Sequence, residues 1–531
     1  MRTDNTKEKG NALNGLIGGT LSLTISAIIV KFIGLIYKIP IASLLGDQGM
    51  GYFNSAYTVY AFFYLFCTAG VPKAIMILIS EAKTRGKIAE EGKIMRVAIA
   101  LFLSIGILLT LILIIFSVPI AELIGNNKSY FAMIGIAPSI LLVAVGGVIR
   151  GYLSANTRLL DIGVSQIIEG VGKLGLGLVF AIVGGRMNLP IEILSALTIS
   201  GVTFGSLLGL IYLIACSKMK IKKEKTEQTT FLSNNRQIIK RILSISIPIT
   251  LSAAIMSITN LIDLGLIMRS LLKIGYSEAS ANALYGNYTT LAVPMFNLAL
   301  SVISPISIAF LPVFTRYSIS SDKERLIGAE RSAIELTSLI CAPMMVGLIM
   351  YSKEILDMLF SSSDTRTGAI LLSLISPAIF FSSLLLILNT LLEAFGRVKA
   401  PLLSMSIGSL VKVLTSYLLI TKTDMGILGA PIGTVLSYAT ALVVSMLIYS
   451  SEFGRHIPIF EASFLPYINA FSSVLLSRIV YQKMLLFIDN LSICLMLSIL
   501  LAALIYIGIS AFSGVLAPKK IGEIAKYTNL S

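Results

Sequence analysis

The 531-residue chain is 56% hydrophobic and only 13% charged, with a mean hydropathy of +0.89. These values exclude a soluble globular protein and predict a polytopic membrane protein. The formal net charge of +15 is also typical of a nucleic-acid-binding protein. Where the positive residues lie along the chain distinguishes nucleic-acid binding from the charge asymmetry of a membrane protein.

Four cysteines, Cys67, Cys216, Cys341 and Cys494, lie in or beside apolar stretches without paired spacing. That arrangement argues against a disulfide framework or a metal cluster, and the four are expected to be packing residues. The polar start of the chain lacks a small-residue cleavage site after a short apolar core, so no removable signal peptide is expected.

Fourteen apolar stretches are each long enough for a helix to cross a hydrocarbon core of about 30 Å. The fold class is therefore all-α, with fourteen transmembrane helices. The predicted spans are 20–45, 55–80, 97–118, 130–153, 162–184, 193–215, 242–270, 285–314, 332–352, 368–394, 402–420, 426–450, 463–482 and 491–513.

The segments on one side of these spans, beginning with 1–19, hold 28 of the 42 Lys and Arg residues. Positive residues favour the cytoplasmic side, which predicts that both termini are cytoplasmic. This asymmetry accounts for most of the net charge, and no nucleic-acid partner is expected.

Two parts of the chain resemble each other. An arginine is followed by a serine seven residues later and a lysine fifteen residues later in Arg158, Ser165 and Lys173, and again in Arg397, Ser404 and Lys412. A duplicated six-helix unit with parallel repeats is predicted. The predicted parts are an N-terminal lobe (1–216), a basic cytoplasmic linker (217–241), a C-terminal lobe (242–450), and a final helix pair with a cytoplasmic tail (451–531).

The first helix carries two lysines, Lys31 and Lys38, inside its apolar span. A lysine near the bilayer centre costs roughly 2.5–3.5 kcal/mol on insertion scales, so each needs a water-filled space or a route to the interface. Seven residues are close to two helical turns, which puts both side chains on one face. We expect this face to line an anion-holding cavity, although snorkelling is the alternative for Lys38.

Further basic residues extend this candidate substrate site. Lys173 and Lys412 are repeat mates near the middle of their spans, as expected for a site at a repeat interface. For Lys173 the alternative is an intrahelical ion pair with Glu169. Lys73 and Arg150 lie close to span ends, where snorkelling is the competing interpretation, as it is for Arg269 and Arg478.

Three residues are candidates for ion coupling or for pairing with cavity lysines: Asp263, Asn260 and Glu169. Asp263 lies well inside the seventh span, with Asn260 about one turn earlier. It could bind a cation or a proton, or it could neutralise a lysine of the cavity. Gly201, Gly205 and Gly209 form a small-residue ridge that predicts close helix packing.

Motifs of soluble enzymes are nearly absent. His456 is the only histidine, which excludes histidine-based zinc sites and catalytic triads. Gly170, Gly172 and Gly175 match a dinucleotide-binding pattern, but they lie within a predicted helix with no preceding strand. No catalytic residue, metal or cofactor is predicted.

Three segments carry a resemblance to a known family: GDQGMGYFNSAYTVYAFFYLFCTAGVPKAIMILISEAKTRGK, VIRGYLSANTRLLDIGVSQIIEGVGKL and LEAFGRVKAPLLSMSIGSLVKV. With the helix pattern, they resemble the polysaccharide-exporter family of the multidrug/oligosaccharidyl-lipid/polysaccharide superfamily, and within it the sporulation members related to MurJ-type lipid II flippases. The similarity runs over essentially the whole chain.

The resemblance implies a bacterial cytoplasmic-membrane flippase for an undecaprenyl-pyrophosphate-linked sugar precursor, with basic residues of the first helix facing the pyrophosphate. It also implies an apolar groove for the lipid tail in the final helix pair. In the eighth helix, Tyr288 and Thr289 replace the family's acid and arginine. The alternatives are a cation-coupled multidrug antiporter and a non-transporting membrane partner of peptidoglycan synthases.

Overall fold

The computed structural model describes residues 4–86, 88–218, 234–320, 322–360 and 363–515, without side chains for 4–25, 27–28, 31–32, 35, 88–89, 218, 252 and 255–256. Helices account for nearly all of these residues, and the described part of the chain has no strand. The all-α fold predicted from composition is confirmed.

Among the described residues, the N-terminal half has nine helices and a 3-10 turn at Asn127–Ser129. The helices are α1 (Asp4–Thr68), α2 (Val71–Thr84), α3 (Ile88–Ile115), α4 (Ser117–Ile124), α5 (Tyr130–Ile136), α6 (Pro138–Ala155), α7 (Leu159–Arg186), α8 (Ile191–Lys218) and α9 (Asn235–Lys273).

The part of the C-terminal half that the structure describes has ten helices, a π-helical turn at Tyr288–Ala292 and a 3-10 turn at Gly426–Leu428. The helices are α10 (Glu278–Asn287), α11 (Val293–Ser320), α12 (Lys323–Met350), α13 (Ser352–Leu359), α14 (Thr365–Ile375), α15 (Ala378–Ala394), α16 (Lys399–Lys422), α17 (Gly429–Phe453), α18 (Ile459–Met484) and α19 (Leu491–Phe512).

Twelve helical segments of the described residues are long and apolar enough to cross a membrane. Their lengths establish a multi-pass membrane protein, while the predicted count of fourteen spans stays a prediction. The predicted linker 217–241 falls largely outside the described residues, since α8 ends at Lys218 and α9 begins at Asn235.

The first predicted span ends where α1 bends. Gly46 has a φ of +60°, a backbone conformation that glycine adopts without steric cost, and it divides α1 into two arms. The predicted second span, 55–80, is likewise interrupted, because α1 ends at Thr68 and α2 starts at Val71 with Pro72 in its first turn. Proline is favoured there because it has no N–H to leave unpaired.

The chain forms two compact units: Met1–Met268 with Glu278–Gly286, and Arg269–Ser277 with Asn287–Ser531. In the first unit, α7 and α8 are antiparallel and approach closely along the predicted glycine ridge. A Cβ added at Gly205 would lie 2.6 Å from the carbonyl oxygen of Glu169 and 2.6 Å from the backbone nitrogen of Lys173. The prediction of close packing here is confirmed.

A buried amide network joins separate segments of the first unit. The amide of Asn126 donates to Ser55 Oγ at 2.9 Å and to Asn282 Oδ1 at 2.7 Å, and Asn282 in turn donates to the Gln48 carbonyl at 2.6 Å. Asn126 and Asn282 are fully buried. These bonds hold the start of α10 against α1 and the 3-10 turn.

In the second unit, α18 packs along α12 through side-chain hydrogen bonds. Three pairs are joined: Ser338 Oγ with Ser463 Oγ at 2.9 Å, Cys341 Sγ with Tyr467 Oη at 3.0 Å, and Tyr351 Oη with Ser477 Oγ at 3.0 Å. The residue numbers rise together along both helices, so α12 and α18 run in the same direction. A bilayer offers no hydrophobic gain for helix association, and such polar seams and close packing hold helices together instead.

A cationic and aromatic cluster in the first unit

The candidate site lies where the two arms of α1 meet α7. Tyr37 and Lys38 come from the first arm, Asn54 and Tyr57 from the second arm, and Lys173 from α7. The bend at Gly46 brings the two arms of α1 together, and Gly177 lets α7 approach, since a Cβ there would lie 2.5 Å from the Tyr37 hydroxyl.

Each lysine of this cluster has a polar or aromatic neighbour. Lys38 Nζ donates to Asn54 Oδ1 at 3.5 Å. Lys173 Nζ lies over two tyrosine rings, 4.6 Å from the Tyr57 centroid and 5.5 Å from the Tyr37 centroid. An ammonium over an aromatic face is attracted by the ring quadrupole, which holds Lys173 within the helix bundle.

Glu169 pairs with Arg150 of α6 and not with Lys173. Arg150 Nη2 donates to Glu169 Oε2 at 2.7 Å, and Ser206 Oγ donates to Glu169 Oε1 at 3.0 Å. The Arg150 side chain is 11% exposed, so snorkelling is not its conformation. The predicted alternative of an intrahelical pair between Glu169 and Lys173 was wrong, because Arg150 reaches the carboxylate from the neighbouring helix.

The remaining predicted site residues lie in varied settings. Lys73 is exposed near the start of α2, and Asn260 is exposed on α9. Asp263 and Lys412 are half-buried, on α9 and α16. Lys31 lies on α1, but its side chain is outside the described residues. Arg478 donates to the Met350 carbonyl and to Glu354 at 3.1 Å, which ties α18 to the end of α12.

Sequence reasoning missed the aromatic part of the cluster. Phe53, Tyr57, Tyr60 and Tyr64 recur at helical spacing, and neighbouring rings in this series lie between 5.6 and 6.5 Å apart. Their stripe in the sequence YFNSAYTVYAFFY was the signal. Phe53 and Tyr60 are buried and Tyr64 is half-buried, whereas Tyr57 keeps 39% of its surface exposed.

A second charged group was also missed, in the second unit. The fully buried Glu330 of α12 accepts from Tyr449 Oη at 3.0 Å and from Arg455 Nη2 at 2.8 Å. The Arg455 guanidinium lies 5.4 Å from the Tyr449 ring centroid. A buried carboxylate is costly unless paired, and here one arginine and one tyrosine satisfy it.

The long apolar helices enclose charged side chains that are paired or lie over aromatic rings. The protein is therefore a multi-pass membrane protein with a charged interior, an architecture found in transporters. The family model for "Polysaccharide biosynthesis protein" matches residues 16–318, more than half of the chain. The chain belongs to this family.

Curated relatives match over most of their length. Stage V sporulation protein B of Bacillus subtilis (strain 168) is 23% identical over 449 residues, covering 83% of this chain and 84% of that protein. Lipid II flippase MurJ of the same organism is 20% identical over 459 residues, covering 83% of each.

Solved structures share the fold. Lipid II flippase MurJ in an inward closed conformation superposes with a TM-score of 0.70 at 16% identity, covering 93% of this chain and 98% of that one. An inward-facing multidrug resistance MATE family transporter of the MOP superfamily gives 0.65 at 15% identity, covering 82% and 98%. The chain therefore shares its fold with these two proteins.

Proposed function

We propose that this protein moves a lipid-linked anionic sugar precursor from the cytoplasmic to the outer leaflet of the bacterial cytoplasmic membrane. The cargo would be a lipid II-like, undecaprenyl-pyrophosphate-linked precursor of peptidoglycan or polysaccharide, used for cell wall or spore cortex synthesis. The movement would follow alternating access of two six-helix lobes, with both chain termini cytoplasmic.

The observation that carries this proposal is the cluster of Lys38 and Lys173 within membrane-spanning helices, beside Asn54 and Tyr57. A pyrophosphate has about two negative charges, and attraction between opposite charges is much stronger at low effective dielectric than in water. Glu169 is paired with Arg150 and not with Lys173, so it does not neutralise the Lys173 ammonium group.

The kinship with a stage V sporulation protein and a lipid II flippase supports a lipid-linked cargo. An inside-negative membrane potential would favour the outward movement of an anion by roughly 2.3 kcal/mol per charge per 100 mV. In this scheme Lys31, Lys73, Arg150 and Lys412 would extend the cationic path, while Asp263, Asn260 and Glu169 would balance charge or couple an ion. The final helix pair, from residue 451 onward, would hold the lipid tail.

A multidrug antiporter is the second candidate, because a MATE transporter shares the fold. Such a protein would hold cationic drugs with acidic groups, whereas the described cluster offers two ammonium groups. The cluster therefore favours an anionic cargo.

The test is direct binding to the purified full-length chain in detergent, measured by native mass spectrometry with lipid II and separately with ethidium. We expect lipid II to bind, and Lys38→Ala and Lys173→Ala each to weaken binding by about tenfold, the equivalent of about 1.4 kcal/mol. The control is Arg186→Ala, which removes the same charge from the exposed end of α7 and should leave binding unchanged.

Binding of ethidium without lipid II would overturn the proposal in favour of the antiporter. Binding of neither ligand would shift weight to a non-transporting membrane partner of peptidoglycan synthases. Equal weakening by the Arg186 variant would mean that total charge, and not this cluster, governs binding.

A further inference from the structure

Tyr57 differs from the other aromatic side chains around it. Phe53 and Tyr60, its neighbours on the same helix, are 2% and 3% exposed, and Tyr37 is 3% exposed, whereas Tyr57 is 39% exposed. The residues before and after it, Ala56 and Thr58, are buried and half-buried. One ring in this cluster therefore presents its surface to whatever fills the adjoining space.

Polar groups lie beside the Tyr57 ring. The ammonium group of Lys173 lies 4.6 Å from the centroid of the Tyr57 ring, and an ammonium group does not rest stably in hydrocarbon. One turn along the helix, Asn54 holds Lys38, and Thr58 Oγ1 lies 3.5 Å from Tyr285 Oη. The accessible surface of Tyr57 is thus bordered by charged and hydroxyl groups.

We propose that Tyr57 is a sugar-binding platform of the same site, stacking against the first sugar ring of the lipid-linked cargo. This inference rests on the proposed function. The apolar C–H face of a pyranose fits a flat aromatic ring, and an aromatic side chain binds such a face at small cost in conformational entropy. The polar rim described above would meet the sugar hydroxyls.

Lys173 makes this platform conditional on the pyrophosphate. In the structure its ammonium covers one face of the Tyr57 ring, an interaction weaker than a charge-assisted hydrogen bond to a phosphate oxygen. An arriving pyrophosphate draws the ammonium away and uncovers the ring face at the point where the sugar follows. Lys173 thereby binds the pyrophosphate, and the neighbouring Tyr57 binds the sugar that follows it in the substrate.

The experiment compares lipid II with undecaprenyl pyrophosphate, which has the same lipid tail and pyrophosphate but lacks the sugars and the peptide that they bear. Affinities are measured on the purified full-length chain for the native protein, Tyr57→Phe and Tyr57→Ala. We expect Tyr57→Ala to weaken lipid II binding by about 5- to 20-fold and to leave undecaprenyl pyrophosphate within about twofold, while Tyr57→Phe stays close to native for both.

The matched control is Tyr276→Ala, which removes a tyrosine of similar exposure, 42%, from the second unit and should change neither affinity. Thermal melting of each variant shows whether it is folded. Equal weakening of both ligands by Tyr57→Ala, or of neither, would overturn the platform while leaving the proposed function intact. Failure of the native protein to bind either lipid would remove both.

Because the chain contains no tryptophan, Tyr57→Trp supplies a second readout. Its single indole would report the surroundings of position 57 directly. We expect lipid II to change its emission more than undecaprenyl pyrophosphate does, since only lipid II brings a sugar onto the ring. Identical spectra with the two ligands would contradict the assignment.

Discussion

Gly205 lies where α8 crosses the α7 segment that carries Glu169 and Lys173. A Cβ at this position would be 2.6 Å from the Glu169 carbonyl oxygen, 2.6 Å from the Lys173 nitrogen and 3.1 Å from the Lys173 Cα. All three atoms belong to backbone, which cannot rotate away as a side chain end can. Ordinary contact requires about 3.4 Å or more, so Gly205→Ala forces the two helices apart by most of an ångström.

Overpacking of this kind costs about 1–3 kcal/mol. The matched control is Gly175→Ala on α7, where an added Cβ meets nothing within 4 Å. There alanine should stabilise the helix by about 0.5–1 kcal/mol, because glycine loses more backbone freedom on folding. The two substitutions are chemically identical but are expected to differ in sign.

The assay is thermal melting in detergent, followed by size-exclusion chromatography of the folded fraction. We expect Gly205→Ala to melt below the native protein and Gly175→Ala to melt at or above it. If both variants have the same melting temperature, the α7–α8 contact at Gly205 is less tight than described, and the packing argument fails.

Four further predictions follow from single contacts. Arg150→Ala should destabilise the fold by about 1–3 kcal/mol because it leaves the half-buried Glu169 carboxylate without its arginine, and replacing both members with apolar residues should recover most of the loss. Unfolding in SDS measures both effects, and removing one member of a surface pair such as Lys353 with Asp357 should cost under about 1 kcal/mol. Glu330→Gln should likewise lower the melting temperature, since it removes the charge that Arg455 pairs with, and a native-like melt would show that the pair contributes little. Asn126→Ala should cost about 1–3 kcal/mol through the loss of its bonds to Ser55 and Asn282, whereas Asn127→Ala, at its exposed neighbour, should cost far less. Maleimide should label the four cysteines only after denaturation, because all are free and buried, and rapid labelling of the folded protein would contradict that burial.

The fold class and part of the packing could be predicted from the sequence. A long apolar stretch in a bilayer must pair its own backbone N–H and C=O groups, and a helix does this within the segment. The spacing of Gly201, Gly205 and Gly209 indicated the α7–α8 contact. The partner of Glu169 could not be predicted, because local spacing favoured Lys173 whereas Arg150 arrives from another helix. Which side chains pair between two helices depends on how each helix is rotated and tilted, and the residue spacing within one helix does not specify this.

The cluster of lysine and tyrosine side chains was predicted only in part. Lys38 and Lys173 were identified because charge inside an apolar span is costly, and the structure places each beside polar or aromatic groups. Tyr57 was missed because an aromatic residue in an apolar span carries no such penalty and reads as ordinary packing. Its exposure among buried rings is a tertiary property.

The central claim is that an anionic lipid crosses the membrane by way of the lysine cluster. Its most direct test is lipid II translocation in proteoliposomes under a controlled membrane potential, comparing the native chain with Lys31→Ala, Lys38→Ala, Lys173→Ala and the Arg186→Ala control. We predict transfer by the native chain and the control, and strongly reduced transfer by the three lysine variants. Transfer that neither Lys38→Ala nor Lys173→Ala reduces, or ethidium transport with no lipid movement at either polarity, would contradict the claim.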